Sequence, residues 1–334
     1  MYIARVRALV FDQFGGPEVL AWREIAAPPL APASALVRVR AAGLNFADVY
    51  RRRGNYHLDG AAPWVPGYEG AGVIEAIQDG DRGLVTNFTI GDRVAFADVP
   101  RANAELVCAP LDRLVPLPVS VSFETAAAVL LQGLTAQYLV RDSHPLLTGE
   151  LAVVHAGAGG VGLLLTQMAK LAGARVLSLV SSAEKARAAI AAGADRTASL
   201  EQDWPAIARE LSNDRRGAHV VYDSIGATLA RSLDAARIGG RVVFYGMAGG
   251  DPAPVDPRRL MDESKSLTGG DLWNVLTSSS ERVRRATDLF ALVGSGQLRV
   301  TIAHSLAMSR GAEAHALLEG RGVIGKIILL PHGE

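Results

Sequence analysis

Val153-Val154-His155-Ala156-Gly157-Ala158-Gly159-Gly160-Val161-Gly162 decides how the whole chain is read. Its glycines at 157, 159 and 162 have the G-x-G-x-x-G spacing. That spacing is weak alone and gains meaning between a strand and a helix. Leu151–Ala156 ahead of it reads as a buried strand, and Val161–Ala172 after it as a helix closed by Gly173. The first glycine permits the tight turn, the second lets backbone approach a diphosphate, and the third lets helix and strand pack closely. Free N–H groups and the positive end of the helix dipole then face an anion. The stretch therefore predicts a dinucleotide cradle built from Gly157, Gly159, Gly160, Val161 and Gly162.

The flanking rhythm extends this unit. Arg175–Val180, Thr197–Leu200, His219–Asp223 and Arg241–Tyr245 read as strands. Helices at Ala183–Ala192, Trp204–Ser212 and Thr228–Ala236 alternate with them, and Thr125–Val140 leads in. Strands alternating with helices of about ten residues imply βαβ units and a doubly wound parallel sheet. The first third has a different rhythm. Ala4–Phe11, Ala35–Ala42, Gly70–Ala76 and Arg93–Phe96 are short strands punctuated by Gly-Pro, Pro-Pro and Gly-Asp turns, which suggests a compact β-barrel-like domain. Glu281–Val293 reads as an amphipathic helix, with strands at Val300–Ser305 and Lys326–Leu330. They come too late to extend the parallel sheet and are expected to return to the first domain. The predicted division is 123–270 for the dinucleotide domain, and 1–122 with 271–334 for the other. A length of 334 residues suits two domains.

Composition excludes several classes. Lys+Arg and Asp+Glu are both 34, so nothing supports binding to nucleic acid by bulk charge. One cysteine, Cys108, makes neither an internal disulfide nor a multi-cysteine zinc site. The N-terminal apolar run before Asp12 is too short for a signal peptide, and no apolar stretch approaches the ~20 residues of a membrane span. A soluble cytoplasmic protein is expected.

The tip of the second parallel strand bears on which dinucleotide binds. NAD sites usually place an acid there for the ribose 2′-hydroxyl, and NADP sites remove it and supply a cation. Here Val180 is followed by Ser181, Ser182, Ala183, Glu184 and Lys185. Ser181 and Ser182 offer hydroxyl donors, and Lys185 lies one turn into the helix. Ser182 is also a natural N-cap. Glu184 offers an alternative partner for a ribose hydroxyl, but lies beyond the strand tip. The balance favours NADPH.

This order of parts resembles the medium-chain dehydrogenase/reductase superfamily over essentially the whole chain. Zinc-bearing members keep a Cys at the position of Asn45, a His at that of Tyr68, and a Cys at that of Gln132. None of these positions keeps a soft ligand, so no metal is expected. The segments Gly43-Leu44-Asn45-Phe46-Ala47-Asp48-Val49-Tyr50, Gly54-Asn55-Tyr56, Val65-Pro66-Gly67-Tyr68-Glu69, Gln132-Gly133-Leu134-Thr135-Ala136 and Val221-Tyr222-Asp223-Ser224-Ile225-Gly226 resemble the zinc-free quinone oxidoreductase (zeta-crystallin-like) branch. The resemblance implies a Rossmann domain joined to a GroES-like catalytic domain. It implies that Asn45, Tyr50 and Tyr56 line the nicotinamide and substrate pocket, that Thr135 lies by the nicotinamide, and that Gly246 and Lys326 lie near the cofactor. It also implies a homodimer, with Ser266–Gly270 as the edge strand. Three features depart from the branch, the first being that its usual Ala-Ala-Gly-Gly-Val-Gly turn is Gly157-Ala158-Gly159-Gly160-Val161-Gly162 here. Leu200 stands where some members carry a tyrosine for the 2′-phosphate, and Asp98–Ala104 lacks a Gly-Ala-Tyr run.

The expected chemistry is hydride transfer from NADPH to a quinone. Without a metal, the acceptor oxygen must be polarised by phenol and amide donors, for which Tyr50, Tyr56 and Asn45 are the candidates. An NADPH-dependent enoyl or alkenal reductase would use the same hydride geometry on an activated C=C bond. A dinucleotide-binding protein without turnover, crystallin-like in role, is the alternative from outside enzymes. Arg51-Arg52-Arg53 reads as a solvated helix face rather than a phosphate clamp, and His155 as a packed neutral imidazole inside its strand.

Overall fold

The computed structural model describes residues 5–58, 60–80 and 88–331. Ala4, the expected first residue of the opening strand, lies outside them. Two compact units are present: Gln132–Val275, and Met1–Leu131 together with Leu276–Glu334.

The larger unit opens with an antiparallel ribbon of β1 (Arg5–Val10) and β2 (Ala21–Ala26). Its main sheet starts with β3 (Ser34–Leu44), β4 (Glu69–Gln78) and β5 (Arg93–Ala97). The short strands β6 (Leu106–Pro110) and β7 (Leu114–Pro116) pair with β3 and β5. Period-two alternation builds β3. Val37 and Val39 are buried, and Arg38 between them points out to Glu75 of β4 at 2.8 Å. The strands β2, β6 and β7 were not expected. Most of β2 is exposed, and Pro110 and Pro116 end the other two, so none carries the signal of a buried strand. Helix α1 (Phe46–Arg52) leaves β3 directly, and α2 (Phe123–Tyr138) contains the boundary between the units.

The second unit runs β8 (Leu151–Val154), α3 (Gly160–Leu171), β9 (Arg175–Leu179), α4 (Ala183–Ala191), β10 (Arg196–Ala198) and α5 (Trp204–Leu211). It continues with β11 (Ala218–Asp223), α6 (Leu229–Ala235), β12 (Ala236–Phe244), α7 (Pro257–Asp262) and β13 (Ser266–Gly269). All pairings are parallel, in the order β10-β9-β8-β11-β12-β13. Numbered within the unit this is 3-2-1-4-5-6, the doubly wound order of dinucleotide-binding sheets, with its switch point beside β8. Val153, Leu177, Val221 and Val242 are fully buried on the sheet, and Trp204 of α5 is fully buried in the same core. Each such side chain contributes roughly 1.5–3 kcal/mol by leaving water.

The chain then returns to the first unit. After α8 (Ser279–Gly294) come β14 (Ile302–Ala307), α9 (Gly311–Glu319) and β15 (Lys326–Leu330). Strand β15 lies antiparallel to β3 and parallel to β14, so the expected return is present. The division falls at 131/132 and 275/276 rather than at 122/123 and 270/271. The first half of α2 stays with the first unit, where the Leu131 N–H donates to Glu69 at 2.6 Å.

Candidate active site

The candidate dinucleotide cradle stands at the carboxyl ends of β8, β9 and β12. Strand β8 ends at Val154, two residues before the expected end, because Ala156 turns left-handed with φ +48°. His155 therefore lies in the turn rather than in the strand. The Gly157 N–H donates to Leu179 O at 2.9 Å, and the Gly159 N–H to Ala156 O at 2.8 Å. A Cβ on Gly157 would lie 2.6 Å from Ser178 Cβ, and one on Gly162 would lie 2.8 Å from Gly157 Cα. Those glycines are required by the protein itself. A Cβ on Gly159 would meet only Ala156, at 3.2 Å or more. Protein packing therefore does not demand glycine at 159, whereas close approach of a diphosphate does. Gly159 is the N-cap of α3, so the N–H groups of Gly160 and Val161 open the helix. These residues fit a dinucleotide.

Ser182 caps α4, accepting from the Lys185 N–H at 3.2 Å, and its hydroxyl hydrogen can still donate. Lys185 Nζ donates to Ser181 Oγ at 3.3 Å. The hydroxyl and the ammonium expected to meet a 2′-phosphate thus already stand together. Gly246 follows β12, where a Cβ would meet Ser224 O at 3.2 Å. Thr135 is half-buried on α2.

Behind the cradle, His155 is fully buried between Thr228 (3.2 Å) and Ser232 (3.3 Å), with the Trp204 ring edge-on at 5.3 Å. Burial holds its imidazole below the ordinary value despite the opposing pull of Asp223. Burial raises the Asp223 carboxyl, but His155 and donors from Ser232, Gly226 and Ile225 outweigh it and leave the carboxyl below the usual range.

In the first unit, a separate cluster of candidate residues grows from the end of β3. Asn45 is the N-cap of α1, and its N–H donates to Asp48 Oδ2 at 2.9 Å. Helix α1 stops at Arg52, and Gly54, with φ +80°, reverses the chain. The Asn55 N–H then donates to Tyr50 O at 3.1 Å. This turn folds Tyr56 back until its ring meets that of Tyr50 edge-on at 6.2 Å. Both tyrosines are half-buried.

Asn45 is tied differently. Its Nδ2 donates to Glu69 Oε2 at 2.9 Å, and its Oδ1 accepts from Lys326 Nζ at 2.8 Å. Lys326 Nζ also donates to Glu69 at 2.6 Å, and all three side chains are buried. Lys326, read by resemblance as close to the cofactor, has its ammonium committed to Asn45 and Glu69. Glu69 was missed as a site residue, although it stood inside a quoted motif. Asp48 is fully buried, and burial pushes its carboxyl above the ordinary range against the pull of Arg51.

The arginine run is not a solvated face. Arg52 is fully buried, bonded to Gly15 O at 3.1 Å, to His315 Nδ1 at 3.2 Å and to Glu319. Arg51 is 5% exposed and lies flat on Tyr68, with Cζ 3.5 Å from the ring centroid. Only Arg53 is exposed. Aromatic faces and a carboxylate from α9, distant in sequence, replace water around the first two.

Among the described residues no group of His, Cys, Asp or Glu could hold a metal ion. The amide of Asn45 already faces an ammonium, and Tyr68 and Gln132 supply no soft ligand, so these positions do not fit zinc.

Comparison with known proteins places these features. The model described as alcohol dehydrogenase GroES-like domain matches 31–148, and that described as zinc-binding dehydrogenase matches 160–291. A quinone oxidoreductase of Pseudomonas aeruginosa is 39% identical, over 97% of this chain and 99% of that protein. A 2-haloacrylate reductase of a Burkholderia species is 35% identical, over 98% and 99%. The crystal structure of Escherichia coli quinone oxidoreductase complexed with NADPH superposes with a TM-score of 0.91 at 33% identity, over 98% of this chain and 100% of that one. With the doubly wound sheet, the glycine cradle and this full-length similarity, the chain belongs to the quinone oxidoreductase family of the medium-chain dehydrogenase/reductase superfamily.

Proposed function

We propose that this chain is an NADPH-dependent quinone oxidoreductase that works without a metal. The observation that carries the reading is the Lys185–Ser181 pair beside the glycine cradle, at a strand tip that carries no carboxylate. When bound, NADPH supplies a hydride from its nicotinamide. The balance is quinone + NADPH + H⁺ → hydroquinone + NADP⁺, with the second hydrogen arriving as a proton from solvent. Gly157, Gly159, Gly160, Val161 and Gly162 hold the diphosphate, and Ser181, Ser182 and Lys185 hold the 2′-phosphate. Thr135 and Gly246 orient the nicotinamide end. Tyr50 and Tyr56 donate to the acceptor oxygen as charge develops on it. Asn45, whose amide is engaged by Glu69 and Lys326, positions the start of α1 beneath them.

A second reading, reduction of an activated C=C bond, is favoured by the similarity to the 2-haloacrylate reductase. It would use the same donors on an enone or enoate. Initial rates of NADPH oxidation with a panel of small quinones, beside a panel of enones, separate the two. The quinones should be reduced faster. Faster reduction of the enones would install the second reading, and NADPH binding without turnover of either panel would leave a binding protein.

The working form is a homodimer in the cytoplasm. The free edge strand β13 supports the dimer, with Ile238 72%, Met261 71% and Leu267 36% exposed nearby. Unpaired strand edges carrying apolar side chains are ready-made pairing surfaces. No helix among the described residues is long and apolar enough to cross a membrane.

A further inference from the structure

Three consecutive arginines at the C-terminal end of one short helix are treated in two ways. Arg52 and Arg53 both pair with Glu319, and Arg52 adds His315 and Gly15 O. Both charges are matched by that one carboxylate, Arg52 in the interior and Arg53 at the surface. Arg51 is almost as buried as Arg52, yet its approach to a carboxylate is loose: Nη1 lies 3.8 Å from Asp48 Oδ1, beyond hydrogen-bond distance. Asp48 spends its other oxygen on the Asn45 N–H. What holds the Arg51 guanidinium is the Tyr68 face at 3.5 Å, the Tyr56 face at 4.9 Å and one hydrogen bond from Nε to His57 O at 3.0 Å. Aromatic faces attract a cation without cancelling its charge, because they offer a quadrupole rather than an opposite charge. A buried guanidinium kept this way projects a field that a tight ion pair would quench.

That field lies on Tyr56, and Tyr56 meets Tyr50 edge-on. We infer that Arg51 is a positioning residue that gives the surroundings of Tyr50 and Tyr56 a fixed positive charge, acting through Tyr56 and Tyr68 to stabilise the negative charge that hydride transfer builds on the acceptor oxygen. The inference rests on the reading of this chain as a quinone reductase. It assigns electrostatic work to a residue that makes no contact with the reacting atoms. It also accounts for the loose Asp48 contact, since a close carboxylate would remove the effect.

The test uses the full chain with NADPH saturating and a series of para-benzoquinones whose substituents grade their reduction potential. Arg51→Met should lower kcat by about ten- to a hundredfold on the poorest acceptors, which build the most charge in the transition state, and by less on the best. The dependence of log kcat on acceptor potential should therefore steepen. The Kd for NADPH should stay within about twofold of wild type, as expected for an interaction made only in the transition state. Arg51→Lys, which keeps the charge but not the planar stack, should recover part of the loss. Tyr68→Leu removes the stacking face and should share the steeper dependence even if Arg51→Met fails to fold, whereas Tyr68→Phe keeps the face and should not. A parallel downward shift across all acceptors in Arg51→Met, or in Tyr68→Leu should Arg51→Met not fold, would mean a structural role and overturn the inference. So would an unchanged kcat. A wild-type protein that reduces no quinone would remove the functional reading and this inference with it, whereas an active wild type with an unaltered acceptor dependence in these variants would remove the inference alone.

Discussion

Residue by residue, the tests concern which side chains meet charge. Ser181→Asp would put a carboxylate where Lys185 Nζ now reaches a hydroxyl, and should repel a 2′-phosphate and shift preference toward NADH. Lys185→Ala should weaken NADPH binding by roughly ten- to a hundredfold, the worth of a charge-assisted hydrogen bond, and leave NADH nearly unchanged. Titration of both cofactors against wild type and the two variants checks this. Equal affinity of the wild type for NADH and NADPH would mean that no 2′-phosphate site exists there. Tyr50→Phe and Tyr56→Phe should keep NADPH binding and slow turnover, each by at most roughly a hundredfold if one donor to the developing oxyanion is lost. Full activity in the double variant would show that neither hydroxyl polarises the acceptor. Treatment with a chelator should leave turnover unchanged, since Asn45 and Tyr68 offer an amide and a phenol where a metal would need soft ligands. Stoichiometric zinc in active protein, found by elemental analysis, would contradict this.

Among the elements, the β8–α3 turn separates two kinds of glycine. Gly157 and Gly162 sit where a methyl group would strike Ser178 or the backbone of the turn, so Gly157→Ala and Gly162→Ala should cost stability even without cofactor. Gly159 has room, and Gly159→Ala should leave the melting temperature of the apo protein close to wild type while weakening NADPH binding. Comparing Tm with and without NADPH reads both effects, because a ligand that binds only the folded state raises Tm by an amount that grows with the logarithm of its concentration over its Kd. A Gly159→Ala protein that binds NADPH normally would show that backbone does not approach the diphosphate at this residue. Helix α1 teaches a parallel lesson. Its N-terminal end is held by Asn45, Asp48, Glu69 and Lys326, and its C-terminal end by Arg52 on Glu319 and His315. A helix of seven residues has little stability of its own, and these ties at both ends supply it.

Across the whole molecule, stability should fall in acid. His315 is buried beside Arg52, and burial with that positive neighbour holds its imidazole down to about 3. Above pH 6.5 the group is neutral in both states and contributes nothing to pH dependence. Below it the unfolded chain takes up a proton that the folded chain refuses, so stability is lost from about pH 6.5 down to 3, by up to about 1.4 kcal/mol per pH unit. Glu281, held down to about 2 by hydrogen bonds from Arg284 and Arg285, adds a further loss below about pH 4.5. Urea midpoints measured from pH 7 to pH 4 should decline, and His315→Gln should flatten the upper part of that decline. An unchanged slope in the variant would place the acid sensitivity elsewhere, with His155 the next group to test. Ile238→Asp combined with Leu267→Asp should convert a dimer to a monomer in sedimentation. A dimer that persists would exclude the β13 edge as the interface.

The doubly wound unit is legible in the chain before folding is considered, because the signals for it are local: buried runs, helical periodicity and a glycine spacing all lie within a few tens of residues of one another. The glycine turn and the start of the helix carrying Lys185 were legible for the same reason, and motif resemblance singled out Asn45, Tyr50 and Tyr56 as candidates. The state of the charged residues, by contrast, depends on contacts made after folding. Nothing near Arg51-Arg52-Arg53 in the chain says that Tyr68, His315 and Glu319 will cover two of the three. Nothing near Lys326 says that its ammonium will lie between Asn45 and Glu69, 281 and 257 residues away. Burial of a charge is favourable only when distant segments bring the compensating groups, and those groups are fixed by the packing of sheets and helices rather than by local pattern.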